Sequence, residues 1–154
     1  MVNSDVMKCF YRTLIFEFGS SNTVVCDEDG NVLFDEPTMV ASFYGPNEPL
    51  LIGNRALRAP QIGHCKFTKP IIRGYVNDYD AFETFVKGVV KKLVLFPRLC
   101  LRTVVIPIPN DLAGDENASA CDRALFEPFR KMGVKNIWTI HRSVAACLGT
   151  QHYN

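Results

Sequence analysis

The seven residues Leu101 to Pro107 (LRTVVIP) constrain the fold most. They form a nearly continuous apolar run rich in β-branched residues. Such a run reads as a strand buried on both faces, the pattern of a parallel sheet. Parallel neighbours need crossover connections, and helices are legible on both sides of the run. Before it, Phe82, Phe85, Val86, Val89, Val90, Leu93 and Val94 recur at spacings of three and four, one face of an amphipathic helix over Asp80–Phe96. Asn77, Asp78 and Asp80 supply capping oxygens at its start, and Pro97 stops it. After it come a helix over roughly Ala118–Met132 ending at Gly133, a strand at Asn136–Ile140 (NIWTI), and a short helix over Ser143–Leu148. Strand, helix and strand with short connections imply a parallel, right-handed crossover.

The first part of the chain has a different grammar. Arg12–Phe18 (RTLIFEF), Thr23–Asp27 and Asn31–Asp35 (NVLFD) read as three strands. The turn Gly19-Ser20-Ser21-Asn22 joins the first two. Asp29-Gly30, a strong hairpin signal, joins the second and third. Pro37–Tyr75 is less regular: a strand at Met39–Phe43, a turn at Gly45-Pro46-Asn47-Glu48-Pro49 and a short apolar run at Leu50–Ile52, with Pro60, Gly63, Pro70 and Gly74 breaking the rest. This stretch is a small elaboration on the main sheet. The fold class is α/β, with a mixed sheet of about five strands, flanking helices and a small inserted subdomain.

With 154 residues the chain fits one domain able to bury a real core. The 17 Lys and Arg against 16 Asp and Glu leave a formal charge of +1, a poor start for non-specific nucleic-acid binding. No apolar run approaches the ~20 residues of a spanning helix. Met1–Met7 lacks the basic start and apolar core of a secretory signal. The six cysteines are scattered without a close C-x-x-C pair, which predicts reduced thiols and a cytoplasmic location.

Several residues are candidates for chemistry. Consecutive amides and hydroxyls at Gly19-Ser20-Ser21-Asn22-Thr23 can cradle a phosphate without a basic side chain. Glu17, on the strand before, can hold Mg²⁺ through water. The bland reading of the same residues is a hydroxyl-rich hairpin turn. Asp78 and Asp80 are explained by helix capping. His64-Cys65 has no second ligand pair at metal-binding spacing. His141 and Arg142 stand where a strand meets a helix, the end of an α/β sheet where ligands usually bind, and the bland reading of each is a structural or surface role. Ser143 lacks the G-x-S-x-G frame of a hydrolase nucleophile. Leu95 and Phe96, just past Lys91-Lys92, are core by default, or an apolar tip for an anionic membrane surface.

Taken together, the segments resemble the first lobe of the MreB family, the bacterial actin homologues. Phe16-Glu17-Phe18-Gly19-Ser20-Ser21-Asn22-Thr23-Val24-Val25 is similar to the family's first phosphate motif, D-L-G-T-A-N-T and an apolar pair. Asp35-Glu36-Pro37-Thr38 resembles N-E-P-S, and Ile52-Gly53-Asn54 resembles V-G-N. The stretch from Lys69 to Asp80 resembles R-P-x-x-D-G-V-I-A-D-Y. Leu95-Phe96-Pro97-Arg98 resembles the apolar L-F tip, Val104–Pro109 resembles V-V-I-x-V-P, and Ile140–Gly149 resembles I-E-E-P-M-A-A-A-I-G. The order and spacing of these motifs, over nearly the whole chain, carry the resemblance.

The resemblance implies an actin/Hsp70/sugar-kinase fold, an actin-like ATPase lobe of the ribonuclease H-like kind. The inner subdomain would cover about 12–36 and 79–150, and the small outer one about 37–78. It implies ATP with Mg²⁺, filament subunits as partners, contact with the inner face of the cell membrane through Leu95 and Phe96, and a role in bacterial cell shape. Gly19, Ser20, Ser21, Asn22 and Thr23 become the phosphate contacts, and Glu17 the residue toward Mg²⁺. The departures bear on activity. Glu17 replaces Asp, which moves the carboxylate by about 1.5 Å. His141 and Arg142 stand at the I-E-E-P acids, and a guanidinium cannot accept a proton from water. The connection Asn110–Ala120 is longer than the family's. Only one lobe is matched, without the second phosphate loop. The expectation is a cytoskeletal protein reduced to one lobe, acting by protein–protein interaction through filament modulation or pairing with a complementary second lobe, with weak or no ATP hydrolysis. The alternative is a nucleotide-binding ATPase or phosphotransferase completed by a second chain.

Overall fold

A computed structural model describes residues 12–44, 50–109 and 118–150. Met1–Met7, the turn Gly45-Pro46-Asn47-Glu48-Pro49 and most of the Asn110–Ala120 connection lie outside them. The three opening strands form as their alternation predicts: β1 (Arg12–Phe18), β2 (Asn22–Asp27) and β3 (Val32–Pro37), paired antiparallel in sequence. The turn between β2 and β3 is longer than a two-residue hairpin. Only Gly30 takes a positive φ there, at 83°, and the Asp27 carboxylate accepts from the amides of Asp29 and Asn31.

The chain then builds a small sheet from β4 (Val40–Phe43), β5 (Leu51–Ile52) and β6 (Cys65–Thr68), in the order β5-β4-β6. The short helix α1 (Gly53–Leu57) and a 3-10 turn at Ala59–Gln61 lie between β5 and β6. A two-stranded hairpin follows, β7 (Ile71–Ile72) and β8 (Tyr75–Val76).

Helix α2 spans Tyr79–Leu93. Asp78 alone caps it, accepting from the Ala81 amide at 2.9 Å. Asn77 instead donates its side-chain amide to the Lys69 carbonyl. The helix stops short of the expected Phe96, because Val94 turns extended and buries its side chain. Pro97 opens a helix rather than closing one. It sits at the start of α3 (Pro97–Cys100), where its missing N–H costs nothing.

The strand β9 (Leu101–Ile108) runs parallel to β1 on one side and to β10 (Asn136–His141) on the other. Helix α4 (Ala118–Lys131) bridges β9 and β10, and α5 (Arg142–Thr150) follows β10 without a gap. The main sheet has five strands in the order β10-β9-β1-β2-β3. It is the mixed α/β sheet that the sequence predicts.

The core lies on one face of this sheet. Leu14, Phe16 and Phe18 of β1 and Val104 and Ile106 of β9 meet Phe82, Phe85, Val86 and Val89 of α2 and Phe129 of α4. Phe16 meets the ring of Phe129 edge-on at 5.0 Å, and Phe18 meets Phe82 edge-on at 5.1 Å. Each such fully buried side chain contributes ~1.5–3 kcal/mol. The β9 run is therefore not buried on both faces. Leu101, Val104, Ile106 and Ile108 are buried, whereas Thr103, Val105 and Pro107 are half-buried. Helices α2 and α4 join the core, while no described residue of α5 is buried.

Two motifs that lie far apart in sequence meet at Glu36. Its carboxylate accepts from the Asn54 amide at 2.9 Å and from Lys92 at 2.9 and 3.0 Å. Gly53 has φ +59°, and a Cβ there would fall 2.1 Å from the Glu36 carboxylate, so this contact requires glycine. The small sheet is thereby tied to the end of α2.

Candidate functional site

Strands β1, β9 and β10 are parallel, so their C-terminal ends open on one edge of the sheet. That is where ligands bind in open α/β sheets. The turn after Phe18, the segment Ile108-Pro109 and the junction His141-Arg142 occupy this edge.

The turn is tightly built. The Gly19 amide donates to the Asn22 carbonyl at 3.0 Å, and a Cβ on Gly19 would sit 2.6 Å from that oxygen. Ser20 Oγ accepts from the Arg73 amide at 2.7 Å. Arg73 holds a left-handed backbone, φ 54°, and Gly74 beside it would strike Pro109 if it carried a Cβ. The hairpin β7–β8 thus braces the turn against the end of β9. Asn22 donates its side-chain amide to Asp35 at 3.0 Å. Thr23 is buried, and its hydroxyl is 2.8 Å from that of buried Thr38.

These contacts sort the five candidate phosphate residues. The Thr23 hydroxyl is committed to Thr38 and the Asn22 amide to Asp35. Ser21 is exposed, and the backbone amides of Ser20 and Ser21 have no acceptor among the described residues. Two successive amides left open are the arrangement that anion-binding concavities use.

Arg142 reaches across from the start of α5. Its Nη2 donates to the Phe18 carbonyl at 3.4 Å, and its Nε stands 3.5 Å from Glu17 Oε1. Both contacts are long, and Nε is buried without a hydrogen-bond partner. His141 ends β10 opposite Ile108 and is half-buried. The Mg²⁺ that the resemblance implies does not fit this arrangement. The Glu17 carboxylate, which would have to hold the hydrated ion, faces the positive Arg142 guanidinium at 3.5 Å instead.

The other candidates are dispersed. His64 is exposed and Cys65 is half-buried on β6. Asp80 is exposed in the first turn of α2. Leu95 and Phe96 leave the core altogether: Leu95 is 81% exposed and Phe96 58%. With Leu99, Lys131 and Met132 they line an open apolar cleft of about 550 Å³. No helix among the described residues is long and apolar enough to cross a membrane.

Sequence reasoning missed one electrostatic cluster. Glu83 on α2 accepts from Lys87 and, at 2.8 Å, from Lys131 on α4, which also reaches Tyr79. The hydrogen bonds from Lys131 and Lys87 hold the Glu83 carboxyl down at about 2. The pairing with Glu83 raises the Lys131 ammonium in turn, while burial raises the Tyr79 phenol. The Glu83–Lys87 spacing was the available signal; nothing in the sequence placed Lys131 beside it.

Similar solved structures share the fold. The chain superposes on MreB5 of Spiroplasma citri bound to AMPPNP with TM-score 0.70 and 17% identity, covering 90% of this chain and 41% of that one. The same protein bound to ADP gives TM-score 0.66 at 16% identity, over 85% of this chain and 38% of that one. The MamK double helical filament gives 0.67 at 16% identity, over 84% and 40%. The chain thus spans about two-fifths of these structures' length. No curated protein matches it by sequence. The family model of the MreB/Mbl protein matches residues 11–152. With the match running over almost all of its length, the chain belongs to the MreB/Mbl family.

Proposed function

We propose that the chain is a bacterial cell-shape protein of the MreB type that works by protein–protein contact. Its partners are actin-like filament subunits or a complementary second lobe, and its own ATP hydrolysis is weak or absent. The observation that carries the second part is Arg142. It stands where the family resemblance expects an acidic residue to position the attacking water, and a guanidinium has only donors. The interaction reading is supported by apolar groups left in solvent: Trp138 on the edge strand β10, and Val144 and Leu148 one turn apart on α5. We place the protein in the cytoplasm at the inner face of the membrane, with Leu95 and Phe96 as a partial anchor beside Lys131.

Co-sedimentation with filaments of a polymerising MreB-family protein in Mg-ATP, read together with phosphate release, tests this. Pelleting with the filaments and phosphate release at background are expected. A chain that stays in the supernatant and releases phosphate steadily, alone or with a second chain, would instead be the ATPase of the alternative reading.

A further inference from the structure

We propose that the Arg142 guanidinium takes the place of a divalent cation at this turn, so that the chain binds the polyphosphate of a nucleotide without Mg²⁺. The inference rests on the reading of Gly19–Asn22 as a phosphate turn, and adds what neutralises the phosphate there.

Three observations carry it. The carboxylate that would hold a hydrated cation is already paired, with Glu17 Oε1 at 3.5 Å from Arg142 Nε. A second cation at Glu17 would have to approach the guanidinium and be repelled by it. The pairing nonetheless leaves Arg142 unsaturated. A guanidinium has five N–H donors in a planar fork, and the two contacts it makes are 3.4 and 3.5 Å, one of them with no hydrogen bond at Nε. Its side chain is 42% exposed although Nε is buried, so a ligand would be met by the Nη end of the guanidinium. Finally, the contact to the Phe18 carbonyl puts the positive charge next to the peptide that opens the turn, the turn that also carries the open amides of Ser20 and Ser21. Planar bidentate recognition of phosphate is what arginine does better than any other side chain. Arg142 thereby supplies at this turn the positive charge that a divalent cation would otherwise bring to the phosphates.

Isothermal titration of the full chain with ATP, once in excess Mg²⁺ and once in EDTA, tests the inference. Binding in EDTA at least as tight as in Mg²⁺ is expected. Arg142→Gln should weaken the EDTA binding about tenfold or more. Glu17→Gln, which releases the guanidinium from its competitor, should tighten it about fivefold. Arg142→Glu should invert the requirement, so that ATP binds only when Mg²⁺ is present. Circular dichroism melts confirm that each variant folds, and Glu17→Gln, a neutral change at an exposed residue, gives a readout if Arg142 variants do not. Wild-type binding that requires Mg²⁺ overturns the inference and leaves the phosphate turn standing. No binding in either buffer overturns both.

Discussion

Thr23 offers a clean test of how the turn is held. Its hydroxyl and that of Thr38 form a pair 2.8 Å apart, with the two residues 0% and 1% exposed. The same segments are joined by the Thr38 amide donating to the Ser21 carbonyl at 2.8 Å. Thr23→Val keeps the shape and removes one partner, leaving the Thr38 hydroxyl buried and unsatisfied. That costs ~1–3 kcal/mol. With a urea slope of ~1–3 kcal/mol/M, the unfolding midpoint should fall by roughly 1 M. Thr23→Val with Thr38→Val removes both hydroxyls and should recover most of the loss, since replacing both partners by apolar groups of the same shape is nearly neutral. The double-mutant cycle in urea then shows a strong favourable coupling between the two positions. ATP titration of the double variant should match wild type, because the hydroxyl points at Thr38 and not at a ligand. A single variant as stable as wild type, or a double variant that loses the sum of the two singles, would refute the strut. A fully stable double variant that no longer binds ATP would return Thr23 to the phosphate contacts.

Other tests are more compact. Leu95→Ser with Phe96→Ser should reduce co-sedimentation with anionic liposomes; unchanged sedimentation would remove the membrane contact. Glu83, held at about 2 against its ordinary 4.5, favours the fold above pH 4.5 and loses that contribution as pH falls toward 2. Glu83→Gln should therefore melt below wild type at pH 7 and converge with it near pH 2, and a gap that persists in acid would deny the ion-pair origin. Arg73→Gly relieves a left-handed residue worth ~1–2 kcal/mol of strain, offset in part by added freedom of the unfolded chain. A rise of ~1–3 °C in melting temperature is expected, and a fall would mean the side chain carries an unrecognised contact.

The elements with strong local periodicity were legible from the sequence. Strand β1 matches its expected span residue for residue, because alternation and β-branching agree along RTLIFEF. The C-terminus of α2 did not follow its pattern: Val94 keeps the helical spacing but is more useful extended, where its side chain fills the core and lets Leu95 turn outward. The strands β6, β7 and β8 were missed because Pro and Gly interrupt a stretch whose pairing is set by distant partners such as β4. The same limit governs the site. The turn residues announce themselves in sequence, but Arg142 and Glu17 are 125 positions apart, and only the parallel register of β1, β9 and β10 brings them together. Thr38 and Arg73, which brace the turn, carried no signal that linked them to it.

The sheet order also sets a timetable for synthesis. The meander of β1, β2 and β3 pairs locally and can form as soon as Pro37 leaves the ribosome. Its neighbour on the other side is β9, which begins at Leu101 and is separated by the entire small sheet and α2. At ~5–20 residues per second the nascent chain spends on the order of ten seconds with one edge of β1 unpaired, and for most of that time Phe18 and Phe34 also lack Phe82 and Phe85 of α2. A chain of this kind is most open to mispairing with another copy in that interval; the arrival of β9 closes the edge, and Phe16 is covered only when Phe129 of α4 follows.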